Sequence, residues 1–170
     1  CIRDRSMGSF IQAYYRGEDV SPGVALTQQY GDYDGVLLGF ELRSCLIAQN
    51  DDDPPSVENP TIDFVPCIRA GRRAPHIWID KDKNQSVLDW FGTSYVLLVG
   101  SGGSISRWRQ AVANSVGTFP VECHQIPDNE CGPYVRDMLV LVRPDGIIAD
   151  WWSDTTVSDA ETKTRLLSLI

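Results

Sequence analysis

The run Leu139-Val140-Leu141-Val142-Arg143-Pro144-Asp145-Gly146-Ile147-Ile148 most constrains what this chain can fold into. It spells an apolar strand, a reversal and a second apolar strand. Proline presets the first turn position and glycine tolerates a positive φ, so the chain turns back there at little strain. The sequence therefore predicts a hairpin with strands at about 138–143 and 147–152. A second anchor is Tyr95-Val96-Leu97-Leu98-Val99, a continuous apolar run of the kind found in a strand buried on both faces.

Between these anchors the pattern alternates. Ser86-Val87-Leu88-Asp89 has the form of a capping box, with Asp in place of the usual Glu or Gln, and opens a short helix through Trp90 and Phe91. Ser104 caps a helix whose apolar positions Ile105, Trp108, Ala111, Val112 and Val116 fall three and four apart. Phe119 to Cys123 reads as the next strand. A final helix from about Ser158 turns Ala160, Leu166, Leu167 and Ile170 inward. Upstream, Ile2, Met7, Phe10, Ile11, Tyr14 and Tyr15 suit one amphipathic helix over residues 1–16. Residues 17–35 read as an irregular connection, and Val36–Leu42 and Ser44–Ile47 as extended structure. The division expected is 1–35, N-terminal helix and linker, and 36–170, one domain. The order strand, helix, strand, hairpin, helix implies an α/β, thioredoxin-like mixed sheet flanked by helices, with an N-terminal helix/strand extension.

Composition excludes several functions. The net charge of −8 argues against nucleic-acid or anionic-membrane binding, both of which need clustered Lys and Arg. No apolar run reaches membrane length and no secretory segment is present, so a cytoplasmic location is expected. The five cysteines, Cys1, Cys45, Cys67, Cys123 and Cys131, include no C-x-x-C, so neither a redox dithiol nor a zinc knuckle is spelled out. Cys123 and Cys131 pair only if their Cα atoms approach, which spacing leaves open. Asp51-Asp52-Asp53 lacks calcium-loop spacing and reads as a solvated loop, so no metal ligands are assigned.

Four blocks occur together and in order: Val36 to Ile47, Arg72 to Ile79 with its Arg-Ala-Pro-His-x-Trp core, Ser86 to Leu98, and Leu141 to Ala149 with Val-Arg-Pro-Asp-Gly. In this combination the chain resembles the C-terminal thioredoxin-like domain of the FAD-dependent aromatic hydroxylase family, the phenol 2-monooxygenase-like enzymes. It departs after the hairpin, where the family's Ala-Trp-Arg is Ala149-Asp150-Trp151-Trp152. The resemblance implies oxidoreductase ancestry, polyketide or other secondary metabolism, and flavin chemistry in an N-terminal dinucleotide domain that these residues do not contain. It therefore implies no cofactor in this chain, with FAD in the parent family. Where thioredoxins carry their dithiol, this chain has Gly100-Ser101-Gly102-Gly103-Ser104, which excludes thiol–disulfide exchange there. The loop lacks the G-x-G-x-x-G and P-loop patterns, so a tight turn containing positive-φ glycine is expected rather than a phosphate site.

Two functional readings follow. The first is a structural or interaction domain with no catalytic residues of its own, in contact with a flavin-domain partner or a second copy. The alternative is a stand-alone, cofactor-independent enzyme or binder of an aromatic or polyketide-like molecule, catalysing cyclisation, isomerisation or dehydration through His76, Tyr134, Asp89 or His124. His76 is expected to be a buried ring bonded to backbone, and Asp89 a first-turn charge on its helix. Arg72 and Arg73 suit either binding of a carboxylate ligand or ion pairs with Asp80 or Asp82, and the ion pairs are the commoner outcome. Trp151 and Trp152 cannot both face inward on one strand. Phe10, Ile11, Tyr14 and Phe40 need burial, by dimerisation or by closing a pocket.

Overall fold

A computed structural model describes residues 34–113, 120–128 and 132–153. The helices expected over 1–16 and from Ser158, and Cys131 with any pairing it makes, lie outside those residues.

The core is a four-stranded sheet: β1 (Tyr95–Val99), β2 (Val121–Gln125), β3 (Met138–Val142) and β4 (Ile148–Ser153), in the order β2-β1-β3-β4. β1 and β2 run parallel, with Leu97 opposite Cys123, and β1–β3 and β3–β4 are antiparallel. A parallel pair needs a crossover, supplied here by an α-helix over Ile105–Ala113. β1 is central and all five of its residues are buried, as its unbroken apolar run requires. Alternation sorts its side chains to two faces. Leu97 and Val99 pack with Leu139, Leu141 and Trp152 under the crossover helix, whose Trp108 is fully buried. Val96 and Leu98 pack on the opposite face with Val140, Ile126, Tyr134, Ile77 and Val87. The mixed α/β sheet is that of a thioredoxin-like domain.

The hairpin forms where the sequence places it. Gly146 N–H donates to the Arg143 carbonyl at 2.9 Å, Arg143 N–H donates to the Ile147 carbonyl at 2.8 Å, and Gly146 has φ +81°. This three-residue loop needs the left-handed conformation at its last position, which glycine takes without strain. Between Leu141 and Val142 the pairing jumps from Asp150 to Ile148, leaving Ala149 as a bulge. The bulge rephases β4, so Trp152 enters the core at 4% exposure while Trp151 stands 40% exposed.

The extension differs from expectation. Val36–Leu42 is not extended throughout, because Asp34–Leu38 forms a short α-helix, α1, and Ser44–Ile47 is not a strand but contains a turn at Cys45 and Leu46. The apolar run Val36-Leu37-Leu38 does not join the sheet. The segment is held instead by Leu42 N–H donating to the Gly71 carbonyl at 2.8 Å and Ala48 N–H donating to the Ala149 carbonyl at 2.7 Å. The free side of β4 near the hairpin is thus covered by loops, which protects an edge without a fifth strand.

Candidate functional site

The position a dithiol would occupy, after β1 and before the crossover helix, which is α2, is filled by the chain's own backbone. Gly100 N–H donates to the Met138 carbonyl at 2.8 Å, Gly102 N–H to the Arg136 carbonyl at 2.9 Å and Gly103 N–H to the Gly100 carbonyl at 2.9 Å. A Cβ at Gly100 would collide with the carbonyl oxygens of Val135 and Arg136. Close approach, not the positive φ expected of the loop, is the reason for glycine here, since among the described residues the positive-φ glycines lie elsewhere, at 71, 92, 132 and 146. Those three N–H donors are engaged by the chain's own carbonyls and are not available to a phosphate.

Around this turn lies a polar network. The Ser101 hydroxyl donates to Asp128 Oδ1 at 2.7 Å, and Arg136 Nη1 donates to both Asp128 oxygens at 2.8 and 2.9 Å. Ser101 and the Arg136 charge hold the Asp128 carboxyl below the usual carboxylate range. Gln125 Nε2 donates to the Gly103 carbonyl at 2.9 Å. These bonds tie the β1–α2 turn to Asp128, Arg136 and Gln125.

The four side chains of the alternative enzyme reading lie with the second face of the sheet, yet each is engaged separately. Asp89 closes the capping box: its Oδ2 accepts from Ser86 N–H at 2.8 Å while Ser86 Oγ accepts from Leu88 N–H at 3.1 Å, at the start of a 3₁₀ turn over Val87–Trp90. Tyr134 is buried, its hydroxyl donates to the Pro75 carbonyl at 2.8 Å, and burial pushes its phenol pKa up. His124 stacks on Trp90 with ring centroids 4.4 Å apart, and its Nε2 lies 3.5 Å from Glu122 Oε2. The Glu122 carboxyl is lowered by the Ser94 hydroxyl, which donates to it at 2.6 Å, and then by His124. His76 is exposed, not buried as expected, and lies edge-on to Trp78 at 4.7 Å. Ala74, Pro75 and Ile77 take the interior places, so the extended backbone turns His76 outward.

The arginine pairing also differs. Asp80 is occupied by its own loop, accepting from Asn84 N–H at 2.9 Å and Gln85 N–H at 3.1 Å. Arg72 points instead toward Glu41, with Nε 3.9 Å from Oε2, and Arg73 is exposed. Sequence reasoning missed Arg69, which is 7% exposed and bonded to Glu41 and Asp52, partners 28 and 17 positions away. No periodicity or motif signals a contact at that separation. Among the described residues no cluster of three or more His, Cys, Asp or Glu is placed to hold a metal, and no helix is long and apolar enough to cross a membrane.

The family model for the aromatic-ring hydroxylase C-terminal region matches residues 68–169. The chain belongs to that family. It is 36% identical over 141 residues to aklavinone 12-hydroxylase RdmE of Streptomyces purpurascens, covering 75% of this chain and 25% of that protein. It is 28% identical over 142 residues to the FAD-dependent monooxygenase apdD of Emericella nidulans, covering 79% and 22%. The crystal structure of aklavinone-11 hydroxylase with FAD and aklavinone superposes with a TM-score of 0.61 at 30% identity, over 80% of this chain and 26% of that one. The flavin-dependent monooxygenase PieE, in complex with FAD and substrate, superposes with a TM-score of 0.65 at 25% identity, over 81% and 26%. The aromatic-ring hydroxylase C-terminal chain thus spans about a quarter of the length of the relatives it matches.

Proposed function

We propose that this chain serves as the C-terminal domain of an FAD-dependent aromatic or polyketide monooxygenase, supplying stability and domain contact while the flavin and the substrate are held by other parts of the enzyme. The observation that carries this reading is the β1–α2 turn. At the one position where the fold elsewhere does redox chemistry, the chain has glycines packed against the Val135 and Arg136 carbonyls and the Asp137 side chain, with their N–H groups engaged. The aromatic polyketide ligand named for aklavinone-11 hydroxylase supports a substrate of that class for the whole enzyme. The thiols of Cys45, Cys67 and Cys123 are free, which suits a reducing cytoplasm. The alternative of a stand-alone cyclase, isomerase or dehydratase draws no support from His76, Tyr134, Asp89 or His124, whose contacts are separate and structural.

The test is direct. The purified 170-residue chain is assayed for insulin disulfide reduction and for flavin absorbance surviving desalting. Neither is expected. Catalysed reduction above a variant lacking all cysteines, or a yellow protein, overturns the reading.

A further inference from the structure

A group of side chains on β2 plays no part in that reading: Glu122 and His124, with Ser94 and Trp90 beside them. Residues 122 and 124 are two apart on a strand, so their side chains share one face, while Cys123 between them turns to the α2 side. That face meets the layer against which Trp90 packs. The His124 ring lies flat on the Trp90 indole, with centroids 4.4 Å apart and planes 14° apart. Its Nε2 stands 3.5 Å from Glu122 Oε2. The other carboxylate oxygen, Oε1, accepts from the Ser94 hydroxyl at 2.6 Å, and Ser94 is buried, so the carboxylate is fixed in place.

The imidazole therefore has a π-face on one side and a fixed carboxylate at its edge. A neutral ring carries a proton on one nitrogen only and gains little from either neighbour beyond stacking. An imidazolium gains from both: the indole face attracts a cation, and Glu122 attracts opposite charge while Nε2–H donates to it. Ser94 and then His124 hold the Glu122 carboxyl below the usual carboxylate range, so it remains an anion where imidazole takes up its proton. The other charged groups on the packed elements are turned elsewhere. Asp89, on the Trp90 turn, accepts from Ser86 N–H, and Arg109 of α2 donates to the Cys123 carbonyl at 3.4 Å. Leu98, opposite His124 on β1, is apolar and buried.

We propose that His124 is a proton-sensitive clasp: the charged ring fastens the end of the Val87–Trp90 turn to β2, and the neutral ring leaves the indole held by stacking alone. Imidazole ordinarily changes charge between about pH 5 and 8, so the clasp works over a range that cells meet. The start of the turn is fixed independently of pH in that range by the Ser86–Asp89 capping box, which confines the effect to its Trp90 end. Phe91, the next residue, borders the hairpin at Gly146. The turn thus links the edge of the sheet to the hairpin, and the clasp sets how firmly.

The experiment is a double-mutant cycle on the whole chain, with His124→Gln and Trp90→Leu, read by urea unfolding at pH 5.5 and pH 8. The coupling between the two rings is expected to favour folding at least about fivefold more at pH 5.5 than at pH 8. A second cycle, with Glu122→Gln in place of Trp90→Leu, is expected to show an excess in the same direction. His76→Gln removes the chain's other histidine and is expected to leave both results as they were. Equal coupling at the two pH values in either cycle means that the contact is structural only and overturns the clasp. An acid excess that His76→Gln abolishes also overturns it. If a cycle variant fails to fold, nuclear magnetic resonance of the native chain decides: the Trp90 ring signals are expected to shift with the same midpoint as those of His124, and Trp90 signals that ignore the His124 titration overturn the proposal.

Discussion

At the scale of single residues, the buried polar groups set the chemistry. Cys123 lies under α2, where burial pushes its thiol up to about 11, against the opposing charge of Arg109. Above the unfolded value of 9.0 the unfolded thiol ionises while the folded one stays neutral, so a contribution fully present below 9.0 is lost as pH climbs from there toward about 11. Urea unfolding at pH 8 and pH 10.5 is expected to show a smaller loss of stability for Cys123→Ala than for the native chain. Tyr134→Phe removes the donor to the Pro75 carbonyl and leaves that oxygen without this bond, so a loss of about 0.5–1.5 kcal/mol is expected by the same measurement. An unchanged midpoint would show that the carbonyl finds another donor. Trp152 Nε1 is buried without a hydrogen-bond partner. The indole's apolar burial in the core outweighs that cost.

At the scale of elements, the hairpin and the capped turn are the pieces that local chemistry specifies. Gly146→Val forces a β-branched side chain to φ +81° and is expected to cost about 1–3 kcal/mol. A thermal scan that shows no shift would mean that the turn can relax to another type. Ser86→Ala removes one half of the capping box and is expected to cost about 1 kcal/mol, with Ser86→Thr recovering most of it. Both features were legible because their residues are neighbours in sequence and the physics is local. The Val36–Ile47 stretch was not. Its apolar residues suit a strand, but a strand forms only where a sheet edge accepts it, and here loop contacts from Ala48 to Ala149 and from Gly71 to Ile148 occupy the free side of β4. The Arg69 clamp was equally hidden, because its three members come together only after the chain has folded back.

For the whole molecule, one sheet divides two apolar layers. Leu97→Ala on the α2 side and Leu98→Ala on the other side each open a cavity at a fully buried position, and each is expected to cost about 2–5 kcal/mol. Both are expected to lower the same single unfolding transition, since the layers share the β1 backbone. Two separate transitions by calorimetry would show that the layers fold independently. The candidate site belongs to this scale as well. His76, Asp89, His124 and Tyr134 were legible as chemically capable residues, but the second layer uses Tyr134 and Asp89 to bond backbone and stacks His124 on Trp90. Capability is a property of a residue, whereas convergence on one point is a property of the fold.

The sequence by itself determined the four strands of the sheet, the hairpin turn, the crossover helix, the Ser86–Asp89 capping box, and the absence of a dithiol after β1. Each depends on apolar periodicity or on the backbone preferences of residues a few positions apart. Only the tertiary structure decided which of Trp151 and Trp152 enters the core. Alternation requires one to point outward but does not say which, and the bulge at Ala149, created by pairing with β3, sets the phase. It also decided that α1 is bonded to Thr61 and Ile62 and that Arg69 joins Glu41 to Asp52, because those arrangements arise from contacts between groups separated by long stretches of chain.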